Sequence, residues 1–165
     1  YKRQARRRIK VHDGSDEAEG TVRLFVGYGD SPIWVPGGPM EYSDTNLSVE
    51  LKSDLAAWEA DYYAGRASEK SERPARHTAR GRELAERLSA ELGWRFSVSV
   101  DSGHQGEQVL IRSRRPAVNP KAEQAFAARF SEEAAEAERL RHEDLEAYAP
   151  NSKQVFARRG RKKGH

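Results

Sequence analysis

The first residues that could take part in binding chemistry are two runs of basic side chains, one near each end of the chain. Six lysines and arginines fall within residues 1–10, six more fall within residues 151–165, and neither run contains an acid. They are Lys2, Arg3, Arg6, Arg7, Arg8 and Lys10, followed by Lys153, Arg158, Arg159, Arg161, Lys162 and Lys163. Runs of this composition bind phosphates through charge and counterion release.

Charge is strongly separated along the sequence. The two runs contribute +12 to a net charge of +3, so the 140 residues between them are acidic, at −9. We predict that all the basic residues named above except Lys153 contact an anionic partner, RNA or DNA. Aromatic residues for base stacking are few, since only Tyr1 and Phe156 accompany the runs. A solubilising tail, or folding of the arms back onto the acidic body, are the alternatives.

The histidines do not form a metal-binding pattern. The chain has no cysteine, and its five histidines show no HxH or HxxxH spacing. They are His12, His77, His104, His142 and His165. His77 lies four residues before Gly81 on the apolar face of a predicted helix, where packing is favoured over ligation. The sequence predicts no metal site.

Catalytic motifs are also missing from the sequence. The segment Gly27-Tyr28-Gly29-Asp30 lacks the third glycine and the following helix of a dinucleotide loop. The loop from Asp101 to Glu107 lacks the twelfth-position ligand of a calcium loop. We therefore predict no catalytic residue, no cofactor and no enzyme activity. A cleft that gathers His77, Asp30 and glutamates would reverse that prediction.

Composition predicts one globular domain. The chain has 165 residues, of which 36% are hydrophobic and 33% charged. The lack of cysteine is compatible with a reducing cytoplasm. No stretch approaches the roughly 20 apolar residues of a membrane span, so we expect a cytoplasmic protein with no membrane partner.

Hydrophobic periodicity predicts three helices, over 47–63, 75–92 and 119–149. Ser48 or Asn46 could cap the first helix, and Gly93 could end the second in a left-handed conformation. Gly81, in the middle of the second helix, indicates a close helix contact. Asn119 should cap the third helix, which is long and acidic, and Pro150 should end it.

Alternation of apolar and polar residues predicts strands over 21–28, 94–100 and 109–111, the last two as a hairpin. Residues 9–12 could add a short strand. The segment 29–46 is rich in proline and glycine and predicts an ordered, packed loop without regular structure. The predicted fold is α+β, with a small, mainly antiparallel sheet packed by two helices. A long C-terminal acidic helix and two basic arms complete it.

The predicted boundaries divide the chain into four parts. They are a basic N-terminal arm (1–12), an α+β core domain (13–115), the acidic helix (116–149) and a basic C-terminal tail (150–165).

Three motifs occur in order between residues 28 and 93. They are YGxSPIW at 28–34, LSxxLxxxLxxW at 47–58 and GRELAxxLxxELG at 81–93. In these motifs the chain resembles a family of uncharacterised small bacterial proteins. The resemblance implies a compact β-α-α-β unit and transfers no activity and no site residue. The basic N-terminal arm, the linker 66–76 and the chain after Val100 depart from the family pattern.

Two functions remain after these exclusions. The first is a non-enzymatic protein bound to nucleic acid or to a ribonucleoprotein, with its basic arms on phosphates and its acidic body on protein. The second is a protein-binding module of the immunity or regulatory type, which would use the acidic helix or the loop around Trp34. Trp34 is the predicted partner-binding residue, although packing within its own loop would also explain an indole beside Ile33 and Val35.

Overall fold

The computed structural model describes residues 18–66, 73–104 and 106–157. The strands are β1 (Gly20–Leu24), β2 (Ile33–Val35), β3 (Gly38–Pro39), β4 (Phe96–Asp101) and β5 (Gln108–Arg112). The helices are α1 (Tyr42–Thr45), α2 (Val49–Arg66), α3 (Arg73–Leu92) and α4 (Pro120–Ala157), with a 3₁₀ turn at Gly93–Arg95. The predicted α+β class is confirmed.

The five strands form one sheet in the order β3-β2-β1-β4-β5. β1 and β4 pair in parallel, and the other neighbouring strands pair antiparallel. The predicted hairpin is confirmed, because β5 returns along β4 with Val98 opposite Ile111. The sheet is therefore mainly antiparallel, as predicted, with one parallel seam at its centre.

The helices cover one face of the sheet. Val22 on β1 and Val98 on β4 are paired neighbours on that face, and both are fully buried. Fully buried leucines of the helices pack over them; they are Leu51 and Leu55 on α2 and Leu84, Leu88 and Leu92 on α3. Each buried side chain of this size contributes about 1.5–3 kcal/mol relative to exposure. The apolar stripes read from the sequence are thus the core.

Close packing of α2 on α3 depends on Gly81. A Cβ atom placed there would lie 2.7 Å from Cζ2 of Trp58, which is nearly buried. The indole Nε1 of Trp58 donates a hydrogen bond to the carbonyl oxygen of His77 at 2.9 Å, which fixes the ring. The close helix contact predicted at Gly81 is confirmed.

The predicted helix caps are also confirmed. The backbone N–H of Leu51 donates to Ser48 Oγ at 3.3 Å, and the N–H of Ala122 donates to Asn119 Oδ1 at 3.2 Å. Side-chain oxygens at these positions satisfy amides that have no partner inside the helix. Gly93 follows α3 with φ of 71°, a conformation in which a Cβ atom is strained.

The Glu91 carboxylate, in the last turn of α3, joins three helices. It accepts hydrogen bonds from the backbone N–H of Ser48 at 3.0 Å and from the Ser48 hydroxyl. It also accepts one from Nδ2 of Asn119 at 2.9 Å. Both partners are the capping residues of their helices. Glu91 therefore links the ends at which α2 and α4 start.

The prediction that residues 29–46 lack regular structure is wrong. β2 and β3 pair as a hairpin, in which Val35 lies opposite Gly38. Pro36 and Gly37 form its tight turn, with Gly37 at a φ of 94°. Pro39 is tolerated because β3 lies at the sheet edge. The turn residues were read as breakers, whereas they close a hairpin; the predicted packing is confirmed by buried Ile33 and Met40.

Three predicted element limits also change. β1 ends at Leu24 and not at Tyr28, which is fully exposed, because the chain turns away towards β2. Trp94 lies in the 3₁₀ turn and is about half exposed, so β4 starts later than predicted. α4 continues past Pro150 to Ala157, although an internal proline removes one backbone hydrogen bond and its ring crowds the preceding turn.

The first part of α4 packs on the core and the rest does not. Ala122 and Phe126 are fully buried, and Phe130 packs against Phe96 with ring centroids 5.3 Å apart. Further along, Leu140 is 50% exposed and Leu145 is 69% exposed. Within the described ranges, every helix is too short or too polar to cross a lipid bilayer. The strand predicted over 9–12 lies outside the described residues.

We predict that Gly81→Ala destabilises the fold although alanine favours helices. The added methyl would overlap the Trp58 ring, and overpacking of this kind costs about 1–3 kcal/mol against a helix gain of about 1 kcal/mol. A double-mutant cycle measures the overlap. Urea unfolding gives the free energy of unfolding of the wild type, of Gly81→Ala, of Trp58→Phe and of the double variant. In the Trp58→Phe background the loss should shrink or reverse, and an equal loss in both backgrounds would contradict the overlap.

We predict that Glu91→Gln lowers the free energy of unfolding by about 2 kcal/mol, because charge-assisted hydrogen bonds are replaced and an amide NH2 faces other donors. Glu86→Gln is the matched control, since Glu86 lies exposed on the same helix and only approaches Arg82 at 3.9 Å. Chemical denaturation of both variants provides the comparison. Equal stability of the two variants would show that the Glu91 junction is not important for the fold.

Candidate partner-binding surface

The face of the sheet opposite the helices forms an open surface. Strand pairing places Trp34, Arg23, Ser99 and Leu110 in one row across four strands. Thr21, Ser97 and Arg112 form the next row. We call these seven residues the open face. No described helix covers it, and four of its side chains are exposed; they are Thr21, Arg23, Leu110 and Arg112.

The open face carries apolar side chains although it faces solvent. An antiparallel sheet with one solvated face normally carries polar side chains there. Here Leu110 is 64% exposed, and the indole of Trp34 is only partly buried. Leu110 and Trp34 lie at opposite ends of the row of four strands, with Arg23 and Ser99 between them.

An aromatic stack occupies one end of this row. The rings of Phe25 and Trp34 stack with centroids 4.8 Å apart at an interplanar angle of 23°. The Arg23 guanidinium carbon lies 4.9 Å from the centre of the Phe25 ring. A cation above an aromatic ring is attracted by its quadrupole, by about 0.5–1 kcal/mol at exposed sites. Arg23, Phe25 and Trp34 thus form one ordered unit.

The backbone at Gly27 and Gly29 packs closely against this aromatic stack. A Cβ atom at Gly27 would lie 2.9 Å from the Phe25 ring, and one at Gly29 would lie 2.7 Å from Pro39. Either would also lie 3.2 Å from Cζ2 of Trp34. The Tyr63 hydroxyl at the end of α2 donates to the Gly27 carbonyl oxygen at 2.6 Å. Only glycine lets the backbone approach the rings this closely.

The structure places Trp34 on the open face and not in the core. Its Nε1 is buried and has no hydrogen-bond partner among the described residues. The assignment of Trp34 as a partner-binding residue remains a prediction. Sequence reasoning missed Arg23, Phe25 and Leu110 as its neighbours. Phe25 gave a signal, as an apolar residue on the otherwise polar side of its strand.

A second aromatic cluster, between α2 and α3, is structural. The rings of Trp58 and His77 stack at 4.5 Å with an interplanar angle of 8°, and Tyr62 lies 5.3 Å from His77. Burial lowers the pKa of His77, and the nearby charge of Asp61 opposes that shift. His77 is therefore a packing residue, as expected from its place before Gly81.

Two acidic groups on α2 have shifted pKa values for different reasons. The hydrogen bond from Arg87, 2.5 Å long, and the charge of Arg80 lower the pKa of Asp54. Burial and the charge of Asp30 raise the pKa of Glu59. Burial and Glu59 together raise the pKa of the Tyr42 hydroxyl to about 12. The hydrogen bond from Arg87 on α3 to Asp54 on α2 holds these two helices together.

The described residues offer little that would suit a catalytic site. His77, which could have contributed to such a site, stacks on Trp58. A shallow pocket of about 180 Å³ is lined by Pro39, Met40, Glu41, Asp44 and Arg129, which is small against the roughly 300–1,000 Å³ of ligand sites. Within the described part of the chain, no three metal-ligating side chains are grouped. That the chain is not an enzyme stays a prediction.

The predicted phosphate-binding residues cannot be placed. Residues 1–17 and 158–165, which contain all eleven of them, lie outside the described residues. The structure therefore neither gathers them nor separates them.

The fold defines a small two-layer α+β protein with helices on one face of a five-stranded sheet. A family model matches residues 20–103, about half of the chain, and the chain belongs to this family, the Serratia CdiI immunity protein-like family. The matched region runs from β1 through β4 and includes the motifs at 28–93. Searches of the curated proteins and of the solved structures found no match.

We predict that His77→Phe weakens the loss of stability at acid pH. Because the folded-state pKa lies below its ordinary value of 6.5, the unfolded chain binds more protons, and stability falls as the pH drops through about 6.5. Phenylalanine can stack on Trp58 but cannot be protonated. Urea unfolding between pH 8 and pH 5 measures both proteins, and the pH 8 values isolate any change in packing. Parallel pH profiles would contradict the assignment.

Proposed function

We propose that the chain is an immunity protein that neutralises a toxin by binding it, without catalysis. The observation that carries this proposal is the family match over residues 20–103. An immunity protein acts on a protein partner, its cognate toxin. The match supports the protein-binding interpretation of the sequence over the nucleic-acid interpretation, for which the described residues provide no support.

The position of the match also favours one of the two surfaces that the sequence offered for a partner. Arg23, Phe25, Trp34 and Ser99 lie inside the matched region. The exposed part of α4, with its partly exposed Leu140 and Leu145, lies beyond it. A surface shared with an immunity family is the better candidate for the shared activity. The loop around Trp34 is therefore favoured over the acidic helix.

Non-catalytic action agrees with the chemistry of the described residues. Two of the groups with shifted pKa values serve packing or helix contacts, since His77 stacks on Trp58 and Asp54 pairs with Arg87. Neutralisation by binding needs a complementary surface and no reactive group.

We predict that a toxin domain is encoded beside the chain's own gene and that the chain protects cells from it. That domain is expressed in a bacterial host from an inducible promoter, with and without the chain. Growth should be restored only when the chain is present, and the two purified proteins should elute together in size-exclusion chromatography. Leu84→Asp, which buries a charge in the core, is the unfolded control.

A second variant separates the two functions that the sequence offered. Serine replaces the eleven basic residues predicted to bind nucleic acid, from Lys2 to Lys10 and from Arg158 to Lys163. Protection should survive this change if the toxin is bound by the fold. Loss of protection together with loss of RNA or DNA binding would restore the nucleic-acid interpretation. A folded chain that neither protects nor forms a complex would contradict the proposed function.

A further inference from the structure

We propose that the toxin docks on the open face of the sheet and places one of its carboxylates against Arg23. This inference rests on the proposed function and adds the surface and the chemistry of the partner.

The shape of the open face is a shallow trough along β4. Ser97 and Ser99 form its floor and are only 4% and 7% exposed, and the Ser99 hydroxyl donates to Oε1 of Gln108 at 3.1 Å. Thr21 and Arg23 on β1 form one wall, and Leu110 and Arg112 on β5 form the other. A protruding side chain or a short extended segment of a partner fits such a trough.

The charge of the trough is positive. Its walls carry two arginines, Arg23 and Arg112, against one carboxylate, Asp101, at the end of β4 on the same strand face. Arg112 donates a hydrogen bond to the Trp94 carbonyl oxygen at 2.6 Å. Arg23 forms no ion pair with the described residues. Arg80, Arg87 and Arg95, in contrast, each pair with a carboxylate. A partner that supplies a carboxylate would complete Arg23 in the same way.

The setting of Arg23 favours a strong contact. Its guanidinium lies over Phe25, which stacks on Trp34, and the loop at Gly27 holds both rings. The contact with Phe25 favours this position of the Arg23 side chain and so offsets part of the cost of ordering a long side chain at an interface. Arginine and tryptophan together are typical of residues that dominate binding energy. The exposed Leu110 supplies apolar surface on the opposite wall.

The test uses the full chain and the toxin domain encoded beside its gene. Arg23→Glu and Leu110→Glu change opposite walls of the trough, and both residues are exposed, so the fold should persist. Arg82→Glu on α3 and Leu140→Glu on α4 are the matched controls, because both residues are exposed away from the open face. We expect the open-face variants to bind at least about 100-fold more weakly, and the controls to stay within about threefold. Calorimetry measures affinity, and circular dichroism checks folding.

Charge exchange tests the carboxylate itself. Toxin variants that remain toxic are selected for neutralisation by the Arg23→Glu chain. We expect them to carry an Asp or Glu replaced by Lys or Arg, and to bind the wild-type chain less well. Restoration only by changes that alter no acid of the toxin would overturn the carboxylate contact.

Four results would overturn the docking surface. Toxin binding and protection unchanged by Arg23→Glu and Leu110→Glu would place the toxin elsewhere while leaving the proposed function intact. A dimer of the free chain that Leu110→Glu dissolves, or crosslinks from residues 1–17 to the open face, would assign the face to another occupant. A wild-type chain that binds and neutralises no toxin would remove the proposed function and this inference together.

Discussion

The arrangement of the helix layer depends on one carboxylate. Glu91 accepts hydrogen bonds from the residues that cap α2 and α4, so two helix starts are fixed to the end of α3. A negative charge is favourable near the starts of α2 and α4 and unfavourable at the end of α3, where it resides. The Glu91 charge therefore interacts favourably with two helix dipoles and unfavourably with one. With α3 lying on β4, this junction sets where all three helices lie over the sheet.

Because the described helices all lie on one face of the sheet, the other face is left uncovered. The helices satisfy the apolar side of the strands, and α2 and α3 are held together by Asp54 with Arg87 and by Trp58 on Gly81. The uncovered side is left with two arginines, two stacked rings and an exposed leucine. In a chain of an immunity protein-like family, a stable scaffold with one unsatisfied side is an arrangement suited to partner binding.

The sequence predicted the helices well and the surface poorly. The spacing of Leu51 and Leu55 indicates an amphipathic helix, and caps such as Ser48 and Asn119 are local signals. The hairpin around Pro36 was missed because its residue types are found in loops and in tight turns alike. The row from Trp34 to Leu110 could not be read, since strand register depends on pairing between distant segments. Partner identity depends on a second molecule and is encoded only indirectly.

The parallel seam between β1 and β4 joins strands that lie far apart in the sequence. The two hairpins, β2 with β3 and β4 with β5, join strands that are close in the chain, whereas Val22 must find Val98 across both long helices. Non-local pairing of this kind forms slowly, because the entropy cost of closing a long loop comes before any stabilising contact forms. The seam is therefore expected to close late and to make folding of the sheet all-or-none. A chain emerging from the ribosome would lack its central pairing until β4 had been synthesised.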